Sequence, residues 1–115
     1  MKAPALLRLL SDETRLRLLR LLAQETLNVS ELTAVLGLAQ SGVSRHLGLL
    51  REAGLVTEER SGVYAWYRLA ADADDPASDR ALLWAWLRQD FEPATEATRA
   101  DDARLAEVRR MRHES

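Results

Sequence analysis

The sequence predicts a mainly α-helical chain with a small β-hairpin, arranged as a winged helix-turn-helix, and three observations predict it. Val43, Leu47 and Leu50 recur at i, i+4 and i+7, which is the buried stripe of a helix running from about Gln40 to Ala53 and closed by Gly54. A shorter helix, Glu31 to Leu36, precedes it and ends at Gly37, leaving Gly37-Leu38-Ala39 as the turn between the two. Two β-rich runs follow, Leu55 to Arg60 and Val63 to Leu69, separated by Ser61-Gly62, a two-residue hairpin signal.

The remaining elements follow from caps and periodicity. Ala5 to Leu10 is a short apolar helix, and Ser11-Asp12-Glu13 then places a capping residue and two acids at the next helix start. That helix, about Asp12 to Gln24, has leucines at 16, 18, 19, 21 and 22 and a narrow polar strip of Arg15, Arg17 and Arg20. Such a pattern belongs to a central helix buried on most sides. Asn28-Val29-Ser30 resets the chain, with Ser30 as the expected cap of the Glu31 helix. Ala70 to Ser78 reads as an acidic linker containing Pro76. A helix from Asp79 to Phe91 is expected to bury Leu83, Trp86 and Leu87, and Glu92-Pro93 ends it. A last helix, Thr95 to His113, carries Leu105, Val108 and Met111 on one side. The division expected is residues 1–70 as the winged domain and residues 71–115 as linker and C-terminal helices, serving dimerisation or a junction to a further domain.

Composition narrows the function classes. Of the 115 residues 47% are apolar and 30% charged, which suits a globular helical domain and argues against disorder. Without cysteine there is no disulfide, thiolate metal site or cysteine nucleophile. Two histidines, His46 and His113, are too few for a histidine-rich metal site, so no metal and no cofactor are expected. Asp101, Asp102, Glu107 and His113 lie mostly on different faces of the last helix and read as a solvated charged face. No glycine-rich phosphate loop, activated nucleophile or paired carboxylate set appears, so an enzyme is not expected. No signal peptide or membrane-length apolar run is readable, and the expectation is a cytoplasmic protein with no membrane contact.

The net charge of −2 conceals an asymmetry. Residues 1–70 hold nine Lys/Arg against seven Asp/Glu, and residues 71–115 hold seven against eleven. Double-stranded DNA is therefore expected against the first part, with the acidic part away from phosphate. On the helix from Gln40, residues Ser41, Ser44, Arg45, Gly48 and Glu52 point away from the buried stripe. Small polar side chains there admit a helix into a major groove, and Gln40 and Arg45 can bond adenine and guanine edges bidentately. Arg51 is grouped with them, and Arg60, Tyr64 and Arg68 are the wing candidates for phosphate and sugar. His46, one step from the stripe, suits either a DNA contact or a packed flank histidine. Gly42 and Gly48 each cost about 1 kcal/mol of helix propensity, for close approach or as relaxed surface. Trp66, Trp84 and Trp86 read as core and dimer packing.

Two stretches resemble a known family. Leu10-Ser11-Asp12-Glu13-Thr14-Arg15-Leu16-Arg17-Leu18-Leu19 resembles the second-helix motif of ArsR-type winged-helix repressors. The run from Gln40 to Val56 is similar to that family's recognition helix and first wing strand. The resemblance covers about residues 5–70. It implies a homodimer paired through first and last helices, an operator with two half-sites, and release of DNA by an inducer. Where metal- and arsenite-sensing members carry cysteines around a valine, this chain has Asn28 and Ser30 around Val29, so a thiophilic inducer is not expected. The place of a capping Ser is taken by Ala39. Ala100 to Arg110 also looks like the segment that joins such a domain to a methyltransferase in fused regulators.

The expected function is a sequence-specific, homodimeric DNA-binding repressor released by a small-molecule inducer. The alternative is an interaction or dimerisation module regulating an attached or partner S-adenosylmethionine-dependent methyltransferase, favoured by the acidic second part.

Overall fold

Local capping chemistry sets the helix boundaries in the computed structural model, which describes residues 2–89 and 95–114. Helix α1, Ala3–Leu10, starts on Pro4 and ends at Ser11. Asp12 then caps α2, Glu13–Leu22, by accepting from the Arg15 N–H at 3.0 Å. A two-residue strand β1, Leu27–Asn28, leads into α3, Val29–Leu36. The α3 cap is Asn28 rather than the expected Ser30, because Asn28 and Glu31 form a reciprocal capping box. Gly37 closes α3 in the left-handed conformation, at φ 67°.

After the three-residue turn comes α4, Gln40–Glu52, within one residue of the expected span. Strands β2, Val56–Ser61, and β3, Tyr64–Leu69, form the hairpin, with Ser61 facing Tyr64. The turn is therefore Gly62-Val63, one residue later than Ser61-Gly62, and Gly62 takes φ 63°. β1 adds to the other side of β3, so the sheet is three-stranded in the order β1-β3-β2 and antiparallel throughout. The hairpin expected from the sequence is thus its larger part.

The stretch read as an acidic linker contains a 3-10 turn over Ala71–Asp74, and its Asp72 is a fixed acceptor. Arg80 donates to it at 2.9 and 2.6 Å, Ser78 at 2.8 Å and the Trp84 indole at 3.1 Å. Those bonds, Arg80's first, hold the Asp72 carboxyl far below the usual carboxylate range. They also orient helix α5, Ala81–Gln89, so that Trp84 and Leu87 are buried and Trp86 is half exposed. The expected inner face had Trp86 in Trp84's place. The end of the Asp79–Phe91 helix and the Glu92-Pro93 break lie outside the described residues.

Helix α6, Glu96–Glu114, packs on α2 and α3. Leu105 is buried and Val108 partly so, but Met111 is 59% exposed, so the expected apolar side narrows toward the end. Trp84, Leu87 and Leu105 join the same apolar core as Leu18, Leu21, Leu32, Val43 and Leu50. The core thus runs through both parts of the chain. Among the described residues no helix is long and apolar enough to cross a membrane.

Asn28→Ala is expected to cost about 1 kcal/mol and Ser30→Ala almost nothing, read as thermal midpoints. Ser30→Ala costing more would return the cap to the residue the sequence suggested.

Candidate nucleic-acid interface

Helix α4 has its two faces sharply separated. Val43, Leu47 and Leu50 are fully buried, whereas Gln40, Ser41, Ser44 and Arg45 are exposed around the first turns. Arg45 carries no ion pair among the described residues. Ala39 at the N-cap supplies no side-chain bond, as its identity predicts. The first-turn N–H groups therefore keep their donor capacity beside these side chains. A Cβ built on Gly42 or Gly48 meets nothing within 4 Å, so neither glycine is demanded by packing inside the subunit.

The wing stands on the same side as the start of α4. Gln40, Ser44, Arg51, Glu58, Arg60 and Tyr64 line one shared cleft. Two of the arginines meet at Glu58: Arg51 donates to it, and Arg60 lies 3.2 Å away. The Tyr67 hydroxyl also donates to Glu58 at 2.9 Å. That bond, together with the two guanidiniums, holds Glu58 below its ordinary pKa. One carboxylate thus neutralises one of two cations, and the pair retains a single positive charge at the cleft. Glu58 was absent from the sequence candidates, although its alternation with Arg60 on β2 places both on one face. Val63, 91% exposed at the turn, is the tip of the wing.

Three candidates are placed differently. His46 is half-buried, and its Nδ1 lies 3.1 Å from Nη1 of Arg15. It sits on the flank of α4 against α2 and not on the row with Arg45. Burial lowers its pKa; among the charges, Arg45 and Arg15 act in the same direction and Asp12 opposes them. Arg68 pairs across the sheet with Thr57 and lines a separate cleft with Leu22, Ala23, Asp74 and Arg88, so it does not join the α4 face. Tyr64 is half exposed and borders the α4 cleft, but its ring also meets Trp66 edge-on at a centroid distance of 6.0 Å.

Of the residues expected on a solvated face of α6, Glu107 and His113 are exposed but Asp101 and Asp102 are not. Asp101 is fully buried and accepts from Arg17 at 2.8 and 2.7 Å, and Asp102 accepts from Arg20 at 2.6 Å. In the opposite sense Arg109 reaches Glu25, and Arg112 reaches Glu25 and Glu31. The acidic second part thus interlocks with the first. Arg17 and Arg20 are consumed by α6, while the exposed α4 row keeps Arg45. No His, Cys, Asp or Glu cluster among the described residues has the grouping of a metal site. Asn28 spends its side chain on the α3 cap.

Comparison with known proteins agrees with this architecture. Residues 12–58 match the model of the bacterial regulatory protein, arsR family. The arsenic resistance transcriptional regulator ArsR1 of Pseudomonas putida is 46% identical over 67 residues, covering 57% of this chain and 52% of that one. The transcriptional activator HlyU of Vibrio cholerae is 39% identical over 70 residues, covering 61% of this chain and 65% of that one. The chain thus spans between half and two thirds of these curated relatives, which are transcriptional regulators and not enzymes. Among solved structures, the transcriptional repressor BigR from Xylella fastidiosa superposes with a TM-score of 0.60 at 34% identity, covering 75% of this chain and 79% of that one. A homodimeric winged helix-turn-helix DNA-binding domain from Mycobacterium bovis superposes with a TM-score of 0.63 at 28% identity, each chain covered to 81%. On its sequence motifs, its fold and these relatives, the chain belongs to the ArsR family of bacterial regulatory proteins.

Proposed function

We propose that this protein is a homodimeric, sequence-specific DNA-binding repressor that places α4 in the major groove of each half-site. The observation that carries the reading is the exposed row Gln40, Ser41, Ser44 and Arg45, set on a helix whose opposite stripe is fully buried. Gln40 and Arg45 supply bidentate groups for base edges, and the small serines let the helix approach. Arg51, Arg60 and Tyr64 at the wing serve phosphate and sugar, which gives affinity without sequence information. His46 serves through its place on the α4 flank, and Arg68 contacts DNA only where the duplex passes the outer face of the wing.

Homodimerisation is supported by the homodimeric neighbour and by apolar side chains left at the surface. Leu7 of α1 is 61% exposed, and Leu82 and Trp86 of α5 are 88% and 50% exposed. The inducer is a small molecule other than a thiophilic metal, because the chain has no cysteine to bind one. A cytoplasmic location, with the chromosome, goes with this reading.

The test is a fluorescence anisotropy titration against DNA from upstream of the chain's own gene. Affinity should fall roughly a thousandfold or more between about 50 and 200 mM salt if the dimer neutralises about six phosphates. A folded dimer that binds no DNA at either salt would contradict the repressor and favour a module acting on a partner enzyme.

A further inference from the structure

The Arg15 side chain on α2 makes polar contacts with both α1 and α4. Its Nε donates to the Leu9 carbonyl at 2.6 Å and its Nη2 to the Arg8 carbonyl at 3.4 Å. Both carbonyls belong to the last turn of α1, and that of Arg8 also accepts from the Ser11 cap. Its Nη1 lies 3.1 Å from Nδ1 of His46 on α4, and its backbone N–H donates to Asp12. A guanidinium only donates, so Nδ1 of His46 must accept and be unprotonated. The ring proton then resides on Nε2, and the imidazole is neutral.

The apolar contacts of α4 with the core include Val43, Leu47, Leu49 and Leu50, and apolar packing is not directional. A hydrogen bond on the flank adjacent to Arg45 fixes what packing leaves loose, the rotation and advance of α4 over α2. Resting on the reading that α4 enters DNA, we propose that Arg15 is a positioning residue for that helix, acting through neutral His46. It would tie the angle of α4 to the end of α1, and so to the subunit frame.

The charged groups around His46 are Asp12 and Arg15 from α2 and Arg45 from α4, while α1 contributes the carbonyls held by Arg15. Burial, Arg45 and Arg15 oppose protonation, and Asp12 favours it. A proton on Nδ1 removes the acceptor and sets two cations face to face. The folded-state pKa is depressed, so the contact is intact above the ordinary imidazole value of 6.5 and is lost as pH falls through the lower folded value. This sign is unusual. A histidine that merely faces phosphate binds DNA more tightly when protonated, because it gains positive charge.

The experiment is an anisotropy titration of the intact protein with its upstream duplex, at constant salt, at about pH 7.5 and about pH 5.5. A His113→Gln background removes the other histidine. The parent protein should bind more weakly at the acid pH, the loss approaching roughly tenfold as His46 becomes fully protonated, in line with the loss of one charge-assisted bond. His46→Asn keeps an oxygen near the Nδ1 position that cannot be protonated, so its affinity should lose the pH dependence. His46→Gln, whose amide reaches toward the Nε2 position, should be roughly tenfold weaker at both. Tighter parent binding at acid pH, or identical behaviour of the Asn and Gln variants, would overturn the positioning role alone. No binding by the parent at either pH would overturn the DNA reading, and this one with it.

Discussion

Arg17→Met should destabilise the protein by about 3 kcal/mol, lowering the thermal midpoint by roughly 10 °C. The reason is the burial of its partner: Asp101 is 0% exposed and accepts both of its strong bonds from Arg17. Arg104, at 3.8 Å, is the nearest other cation and is too far to replace two hydrogen bonds. A carboxylate left in the α2–α6 contact without its guanidinium keeps the desolvation penalty and loses the compensation. Bonding to Asp101 also raises the pKa of Arg17. Arg17→Met/Asp101→Leu should recover most of the loss, since an apolar pair of similar volume carries no such penalty. Salt should change the single-variant deficit little, because a buried pair is poorly screened. A loss below about 1 kcal/mol, or a double variant no better than the single one, would show that α6 does not depend on this pair. The exposed Arg110, which bonds Glu107 and Glu114, is the control expected to matter little.

Arg45→Ala should weaken binding to the specific duplex by about 1–3 kcal/mol per half-site, a factor of roughly 5 to 150 for each. Both subunits of the proposed dimer would lose the contact. Stability should not change, since Arg45 is exposed and outside the ion pairs of the described residues. The effect on unrelated DNA should be smaller, because phosphate attraction declines by only one charge per subunit. Gel-shift titrations with specific and scrambled duplexes separate the two effects. An unchanged specific curve would remove Arg45 from base reading, and an equal loss on both duplexes would make it a phosphate contact.

The parts of this fold that were legible in the sequence are those dictated by local chemistry. Val43, Leu47 and Leu50 gave α4 to within a residue because a single buried stripe permits one phase. Gly37 and Gly54 marked chain reversals that need positive φ. Asn28 and Glu31 spell a capping box, but Ser30 is an equally good capping residue and only the fold chooses between them. Trp84 and Trp86 illustrate a different limit. Both satisfy an apolar period, and the choice falls to Asp72, which bonds the Trp84 indole from a stretch that looked like a linker.

Long-range pairing accounts for most of the rest. Arg17 and Asp101 are 84 residues apart, so the burial of Asp101 depends on the packing of α6 against α2, which helical spacing does not show. His46 was ambiguous because its partner, Arg15, comes from another helix. In the candidate site, the exposed row of α4 was readable from helical spacing. The sharing of Glu58 between Arg51 and Arg60 required the hairpin register. Arg68 was grouped with the wing correctly, but strand alternation sends it to the face opposite Glu58.

Backbone amide NMR of the protein titrated with its upstream duplex reads out which face of the subunit meets DNA. Shift changes should be concentrated from Gln40 to Arg45 and around Arg60 to Tyr64, with the outer face of α6 nearly silent. Changes centred on α5 and α6, with the first turns of α4 unmoved, would contradict the reading that α4 enters DNA.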